Sequence, residues 1–246
     1  MYSDDDVAAL YDAANPWDAS DAFYLAYVMA AESVHDVGCG TGRLLHRARA
    51  TGHTGRLCGV DPDIPSLNRA RTRTDIEWVA ATAADMAWRN EFDLAVMAGN
   101  AFQTLITDDD VHRSLAAIRS ALRDGGRFVF GTRNPLARAW ESWHPGNASD
   151  VTDHTGRELR MIHHVESVVA DVVTMTETIA TRDGTELRVD RGTLRFLDTA
   201  ALDRFLGTAG FTVESRYGDW HSGPWTPDST NIITVAAATN SPATTG

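Results

Sequence analysis

Apolar positions along this chain follow two alternating rhythms. Short aliphatic runs recur at Val34-His35-Asp36-Val37, Arg56-Leu57-Cys58-Gly59-Val60-Asp61, Ile76-Glu77-Trp78-Val79, Phe92-Asp93-Leu94-Ala95-Val96-Met97 and Phe128-Val129-Phe130, and they read as strands. Helical spacing fills the intervals: a segment through about Ala50, another over Ser66–Arg73, and a capped one from Thr107 to Leu122 with Val111, Leu115, Ile118 and Leu122 on one face. Strand and helix alternate in three of the four intervals, which predicts βαβ units and a parallel sheet. The stretch Phe92–Asn100 is apolar almost throughout, as expected of a central strand covered on both faces.

The rhythm differs at both ends. Residues 1–32 predict two helices broken at Asn15-Pro16, with Asp4, Asp5 and Asp6 in the first turn and Phe23, Tyr24, Tyr27 and Val28 as one apolar stripe. From Leu136 to about Leu197 an aromatic loop (Trp140, Trp143, His144, Pro145) leads into alternating segments around Arg160–Val165, Val172–Ile179 and Glu186–Val189. Arg182-Asp183-Gly184-Thr185 supplies a hairpin turn. This predicts an antiparallel β insertion, placed as a lid where the chain leaves the fifth strand. A helix from Asp198 to Gly210 and strands at Phe211–Tyr217 and Asn231–Ala236 close the pattern. The expected organisation is one domain over 1–238, with a helical cap at 1–32, the insertion at 136–197, and a flexible tail at 239–246.

The candidate chemistry begins after the first strand, at Gly38-Cys39-Gly40-Thr41-Gly42-Arg43. Three glycines in five positions remove every Cβ from a sharp bend and let backbone N–H groups approach a ligand. A Walker loop is excluded because no Lys-Ser/Thr pair follows Gly42. The dinucleotide spelling Gly-x-Gly-x-x-Gly is departed from as well, since Arg43 stands at its third glycine. Asp36, two residues before the turn, repels phosphate and favours an ammonium group. Asp61 ends the second strand about twenty residues on, where a carboxylate accepts from ribose hydroxyls.

This stretch resembles the first motif of the class I S-adenosylmethionine-dependent methyltransferases, with Asp36, Gly38, Gly40 and Gly42 filling its acid-x-Gly-x-Gly-x-Gly pattern. Thr82-Ala83-Ala84-Asp85-Met86 is similar to the family's adenine motif, Gly99–Gln103 stands where the family places residues between methyl donor and acceptor, and Tyr11-Asp12 before Asn15-Pro16-Trp17 is similar to an aromatic-rich N-terminal motif. The resemblance implies a Rossmann-like α/β fold. Its seven-stranded sheet is mostly parallel with the last strand antiparallel, helices cover both faces, and the cofactor is S-adenosylmethionine, released as S-adenosylhomocysteine. Carried over residue by residue, it implies cofactor contacts from Tyr11, Asp36, Gly38, Cys39, Gly40, Thr41, Gly42, Asp61, Pro62, Ala84, Asp85, Met86, Ala98, Gly99 and Asn100. Acceptor contacts are expected from Trp17, Phe102, Gln103, Arg133, Asn134, Trp140 and Trp220. Because the sulfonium is already electrophilic, the resemblance implies no particular catalytic side chain. His144, His163 and His164 are the candidates for a general base where the acceptor must lose a proton. His163 and His164 are neighbours on a strand and point to opposite faces, so a metal site is not expected.

Charge and composition narrow the acceptor. Asp plus Glu number 34 against 22 for Lys plus Arg, a formal charge of −12 that disfavours nucleic acid and anionic membrane and leaves a small molecule as the expected acceptor. There is no apolar run of transmembrane length, the residues after Met1 include Asp4, Asp5 and Asp6, and a cytoplasmic location is expected. Cys39 and Cys58 alone offer neither a disulfide framework nor a four-ligand zinc site. A non-catalytic domain that binds S-adenosylmethionine, a protein methyltransferase, and a monomer or a homodimer all remain open.

Overall fold

A computed structural model describes residues 2–239. Helices α1 (Asp4–Ala14) and α2 (Ala19–Ala30) come first, each started by a capping box in which the Ser3 or Asp18 side chain accepts from the helix backbone. Asn15-Pro16-Trp17 separates them, as the proline predicts. The βαβ series then runs β1 (Ser33–Val37), α3 (Arg43–Ala50), β2 (Arg56–Asp61), α4 (Ile64–Ala70), β3 (Glu77–Ala80), β4 (Phe92–Met97), α5 (Asp108–Ala121) and β5 (Leu122–Arg133).

These strands join the last two, β10 (Phe211–Tyr217) and β11 (Asn231–Ala238), in a seven-stranded sheet of order β10-β11-β5-β4-β1-β2-β3, where β11 runs antiparallel to both neighbours. Every residue of β1 is buried, and five of the six in β4 are. Two layers enclose the sheet. On one face α5 and α6 (Thr199–Thr208) bring Val111, Leu115, Ile118, Leu202 and Phe205 onto Phe92, Phe128 and Phe130. On the other, α2 and α3 bring Phe23, Tyr24, Val28, Leu44 and Leu45 onto Val34, Val96 and Val129. Each buried side chain of this size contributes roughly 1.5–3 kcal/mol.

The insertion forms a separate antiparallel sheet of β6 (Ser149–Thr152), β7 (Glu158–Val169), β8 (Val172–Thr181) and β9 (Glu186–Arg195). Tyr2 and Leu10 of the N-terminal segment pack on its Leu159 and Ile179, while Trp140, Trp143 and Phe196 pack on Val173. Gln103, in the short helical turn Ala101–Thr104 after β4, donates to the Arg195 carbonyl at 3.1 Å. The sheet therefore stands at the β4–β5 side of the row of strand ends. Thr239, expected to begin a loose tail, bonds through its N–H and hydroxyl to the Gly210 carbonyl at 2.9 and 2.8 Å. The rest of that segment, 240–246, lies outside the described residues.

Candidate active site

The carboxyl ends of β1, β2 and β4 open into a cavity of about 1060 Å3. In open α/β sheets this edge is where ligands bind. The turn after β1 forms one wall and is closed by backbone bonds: Gly38 and Cys39 donate to the Val60 carbonyl at 2.7 and 3.0 Å, and Gly40 donates to Asp61 Oδ2 at 2.7 Å. Gly38, Gly40 and Gly42 all have positive φ, of 77°, 53° and 78°. Their surroundings differ. A Cβ on Gly38 would lie 2.7 Å from that of Ala101, one on Gly42 would lie 2.5 Å from the Trp78 ring, and Gly40 faces open space. The first and third glycines let elements pack, and the second exposes backbone to the cavity.

Asp36, on β1, is 2% exposed and its Oδ1 has no hydrogen-bond partner among the described residues. Burial, with the Asp61 carboxylate adding repulsion, pushes its pKa up to about 7. A buried carboxylate left unpaired is costly, and a cation in the cavity would relieve it. Asp61 accepts from Gly40 N at 2.7 Å and from Asp63 N at 2.8 Å, one bond per oxygen, so each oxygen retains a lone pair. Asp85 is more open: Thr82 Oγ1 donates to its Oδ2 at 2.6 Å, and Arg113 Nη2 of α5 stands 3.5 Å from its Oδ1. Burial raises the Cys39 thiol well above its ordinary range, so this wall residue is no nucleophile at neutral pH.

The N-terminal helices roof the cavity with Tyr11, Ala14, Asn15, Pro16 and Asp18. Polar ties hold the roof to the glycine turn. Thr41 Oγ1 donates to Asp12 at 2.6 Å. Arg43 Nη2 bonds both oxygens of Asp21 at 2.9 Å, and its Nη1 donates to the Asn15 carbonyl. Tyr11 reaches across the β4 end, where an ideal Cβ on Gly99 would be 3.5 Å from its hydroxyl.

Of the residues expected to hold a cofactor, Tyr11, Asp36, Gly38, Cys39, Gly40, Thr41, Asp61, Pro62, Ala84, Asp85, Ala98, Gly99 and Asn100 line the cavity. Gly42 and Met86 do not: Gly42 lies under Trp78, and Met86 packs into the core beneath α5. The residues expected to meet an acceptor mostly turn elsewhere, because aromatic and amide groups near a strand end are taken up by packing and loop bonding. Phe102 stacks on Phe130 at 4.3 Å between centroids, Trp220 packs on Phe23 and Tyr24, and Trp140 meets Phe196 edge-on. Trp17 lies outside the roof, against the Arg47 and Arg43 guanidinium groups at 4.7 and 5.8 Å. Asn134 binds the Pro227 and Ser229 carbonyls, and Gln103 joins the Arg133 N–H to β9. Arg133 sits next to the wall, bonded to Asn100 Oδ1 at 2.5 Å.

No histidine lines the cavity among the described residues. His144 Nδ1 accepts from Gly146 N at 3.2 Å in its own turn, His163 Nε2 pairs with Glu177 Oε2 at 2.8 Å on the second sheet, and His164 is exposed on the opposite face. None of residues 136–197 lines the cavity either, so its roof is the helical cap and the insertion flanks it. Asp110, Arg113 and Ser114 of α5, and Asp18, Asp21 and Arg43, are wall residues that motif reading missed. The Thr107 capping box accounts for Asp110 without a site, and Arg43 finds Asp21 only across 22 residues of sequence.

Comparison with known proteins agrees with this geometry. Residues 34–126 match the family model described as a methyltransferase domain. The chain is 28% identical over 161 residues to a 2-phytyl-1,4-naphtoquinone methyltransferase of Trichormus variabilis, covering 57% of this chain and 69% of that protein. Two solved structures share the fold. They are the CcbJ methyltransferase of Streptomyces caelestis (TM-score 0.78, 21% identity, 97% of this chain and 100% of that one) and the S-adenosylmethionine-bound amino pentose methyltransferase CalS10 of Micromonospora echinaspora (TM-score 0.70, 22% identity, 93% and 96%). Residues 34–126 of this chain thus match a methyltransferase domain, and the chain has the fold of the class I S-adenosylmethionine-dependent methyltransferases.

Proposed function

We propose that this chain moves the methyl group of S-adenosylmethionine to an O, N or C atom of a small organic acceptor. The observation that carries the reading is the unpartnered Asp36 carboxylate, buried at the glycine turn beside a cavity large enough for a cofactor and a small second molecule. In this arrangement Asp36 pairs with the methionine ammonium, the remaining lone pairs of Asp61 accept from the ribose hydroxyls, and Asp85 takes the adenine amino group at the open edge. When bound, the cofactor supplies an electrophilic methyl and a neutral sulfide leaving group.

The protein's own contribution is placement and exclusion of water. Tyr11, Gly99 and Asn100 border the space at the β4 end, where the acceptor would stand in line with the methyl. Such alignment accounts for roughly 7–11 kcal/mol of a barrier. Among the described residues no histidine lines the wall, which favours an acceptor that attacks without prior loss of a proton, such as a neutral amine, or one already ionised. Small acceptors fit the names of these relatives, a naphthoquinone for one and an amino pentose for another.

Calorimetric titration with S-adenosylhomocysteine and with NADH, alongside Asp61→Ala, tests the cofactor assignment. Micromolar binding of the first, none of the second, and at least a tenfold loss in the variant are expected. No binding of S-adenosylhomocysteine by the unaltered chain would sink the reading.

A further inference from the structure

Arginine supplies every side-chain cation of the sequence apart from histidine. Among the described residues, each arginine has a carboxylate within 4.0 Å except Arg133 and four others. Those four, Arg47, Arg71, Arg89 and Arg204, are exposed, where water solvates the charge. Arg133 is not. It ends β5 half-buried, and burial lowers its pKa, as expected of a cation with no anion beside it.

Its guanidinium is nonetheless held in one orientation. Nη1 donates to Asn100 Oδ1 at 2.5 Å and to Gln103 Oε1 at 3.3 Å, while Gln103 is itself fixed by the Arg133 backbone N–H and the Arg195 carbonyl. The Trp143 ring lies against the group, with its centroid 5.1 Å from Cζ. Both clamps act through neutral amide oxygens, so the positive charge is not cancelled. Among the described residues the Nε and Nη2 N–H groups make no hydrogen bond, and neither atom is sealed from solvent. Together they form the flat two-donor edge that matches a carboxylate in bidentate fashion. Asn100, which positions this edge, belongs to the wall at the β4 end, where the acceptor would stand.

We propose that the free Nε/Nη2 edge of Arg133 anchors a carboxylate of the methyl acceptor, so that the substrate is a small carboxylic acid held by its anionic group while another atom receives the methyl. This rests on the function proposed above. A carboxylate reaching this edge has two sources, the acceptor or the methionine part of the cofactor, and the experiment separates them.

S-adenosylhomocysteine is titrated into the unaltered protein, Arg133→Gln and Arg133→Lys. Benzoate, or benzyl alcohol as the neutral control, is then titrated into each saturated complex. S-adenosylhomocysteine should bind all three within about twofold. Benzoate should bind the loaded unaltered protein, at least tenfold more weakly the loaded Lys variant, which keeps the charge and loses the fork, and not detectably the Gln variant; benzyl alcohol should not distinguish them.

No binding of benzoate to the loaded unaltered protein, or equal binding to a loaded variant, would overturn the proposal. A tenfold or greater loss of S-adenosylhomocysteine affinity in a variant with an unchanged unfolding midpoint would also overturn it, by giving the edge to the cofactor. If the Gln variant does not fold, the Lys variant decides by the same tenfold criterion. Failure of the unaltered protein to bind S-adenosylhomocysteine is a separate result that removes the underlying function instead.

Discussion

With Asp36 as the proposed partner of the cofactor ammonium, cofactor binding is expected to depend on pH. Its pKa in the free protein, about 7, lies above the 3.8 of an ordinary aspartate because burial and Asp61 both disfavour the charge. For folding, a raised carboxyl pKa means that its stabilising contribution is complete below about pH 4 and is lost as pH rises through 7. An ammonium ligand reverses this, because it pairs only with the ionised form and displaces a proton. The dissociation constant of S-adenosylhomocysteine should therefore rise about tenfold per pH unit below 7 and level off above 7.5. Asp36→Asn should bind weakly at every pH and lose that slope. Calorimetry at pH 5.5, 6.5 and 7.5 reads both effects, and a flat profile for the unaltered protein would show that Asp36 does not meet the ammonium.

The two N-terminal helices behave as a roof fastened to the glycine turn. Arg43 is the main fastening, its Nη2 shared between both Asp21 oxygens and its Nη1 bonded to the Asn15 carbonyl, with 29% and 11% of the paired side chains exposed. Removing the guanidinium strands a partly buried carboxylate, at about 1–3 kcal/mol. Arg43→Ala is thus expected to raise the S-adenosylhomocysteine dissociation constant roughly tenfold, mainly through faster release, and to open the 15–18 linker to protease. Stopped-flow release and timed digestion report the two consequences. Unchanged release with rapid cleavage would mean that the roof does not retain the ligand.

Across the molecule, the cavity wall is assembled from α1, α2, the ends of β1, β2 and β4, and α5, so a ligand in it would touch elements spread over the first half of the chain and both layers of the fold. Binding should therefore stabilise the domain as a unit. At 100 times its dissociation constant, S-adenosylhomocysteine adds about 2.7 kcal/mol, worth roughly 5–10 °C in unfolding midpoint for a chain of this length. The insertion has its own clusters, around Leu159 and Ile179 and around Phe196, and is tied to the β4 end by the bond from Gln103 to the Arg195 carbonyl. Calorimetric scans with and without ligand check the shift. Two transitions, with only one moved by ligand, would show that the insertion unfolds independently.

The sequence alone determined the parts whose signals are local. The βαβ order, the acid-x-Gly-x-Gly-x-Gly turn and Asp61 at the end of β2 are written in spacings of two to about twenty residues, because a strand end, a tight turn and a return crossover each constrain the backbone at short range. Which of the three glycines faces the ligand was not written there, since that depends on Ala101 and Trp78 arriving from elsewhere. Only the tertiary structure decided that helices, not the β insertion, roof the cavity, that Arg43 binds Asp21, and that Arg133 meets amides instead of a carboxylate. The physical reason is the same in each case. Cavity walls and ion pairs form between groups distant in sequence, and a side chain's chemistry does not state its partner until packing has brought one within reach.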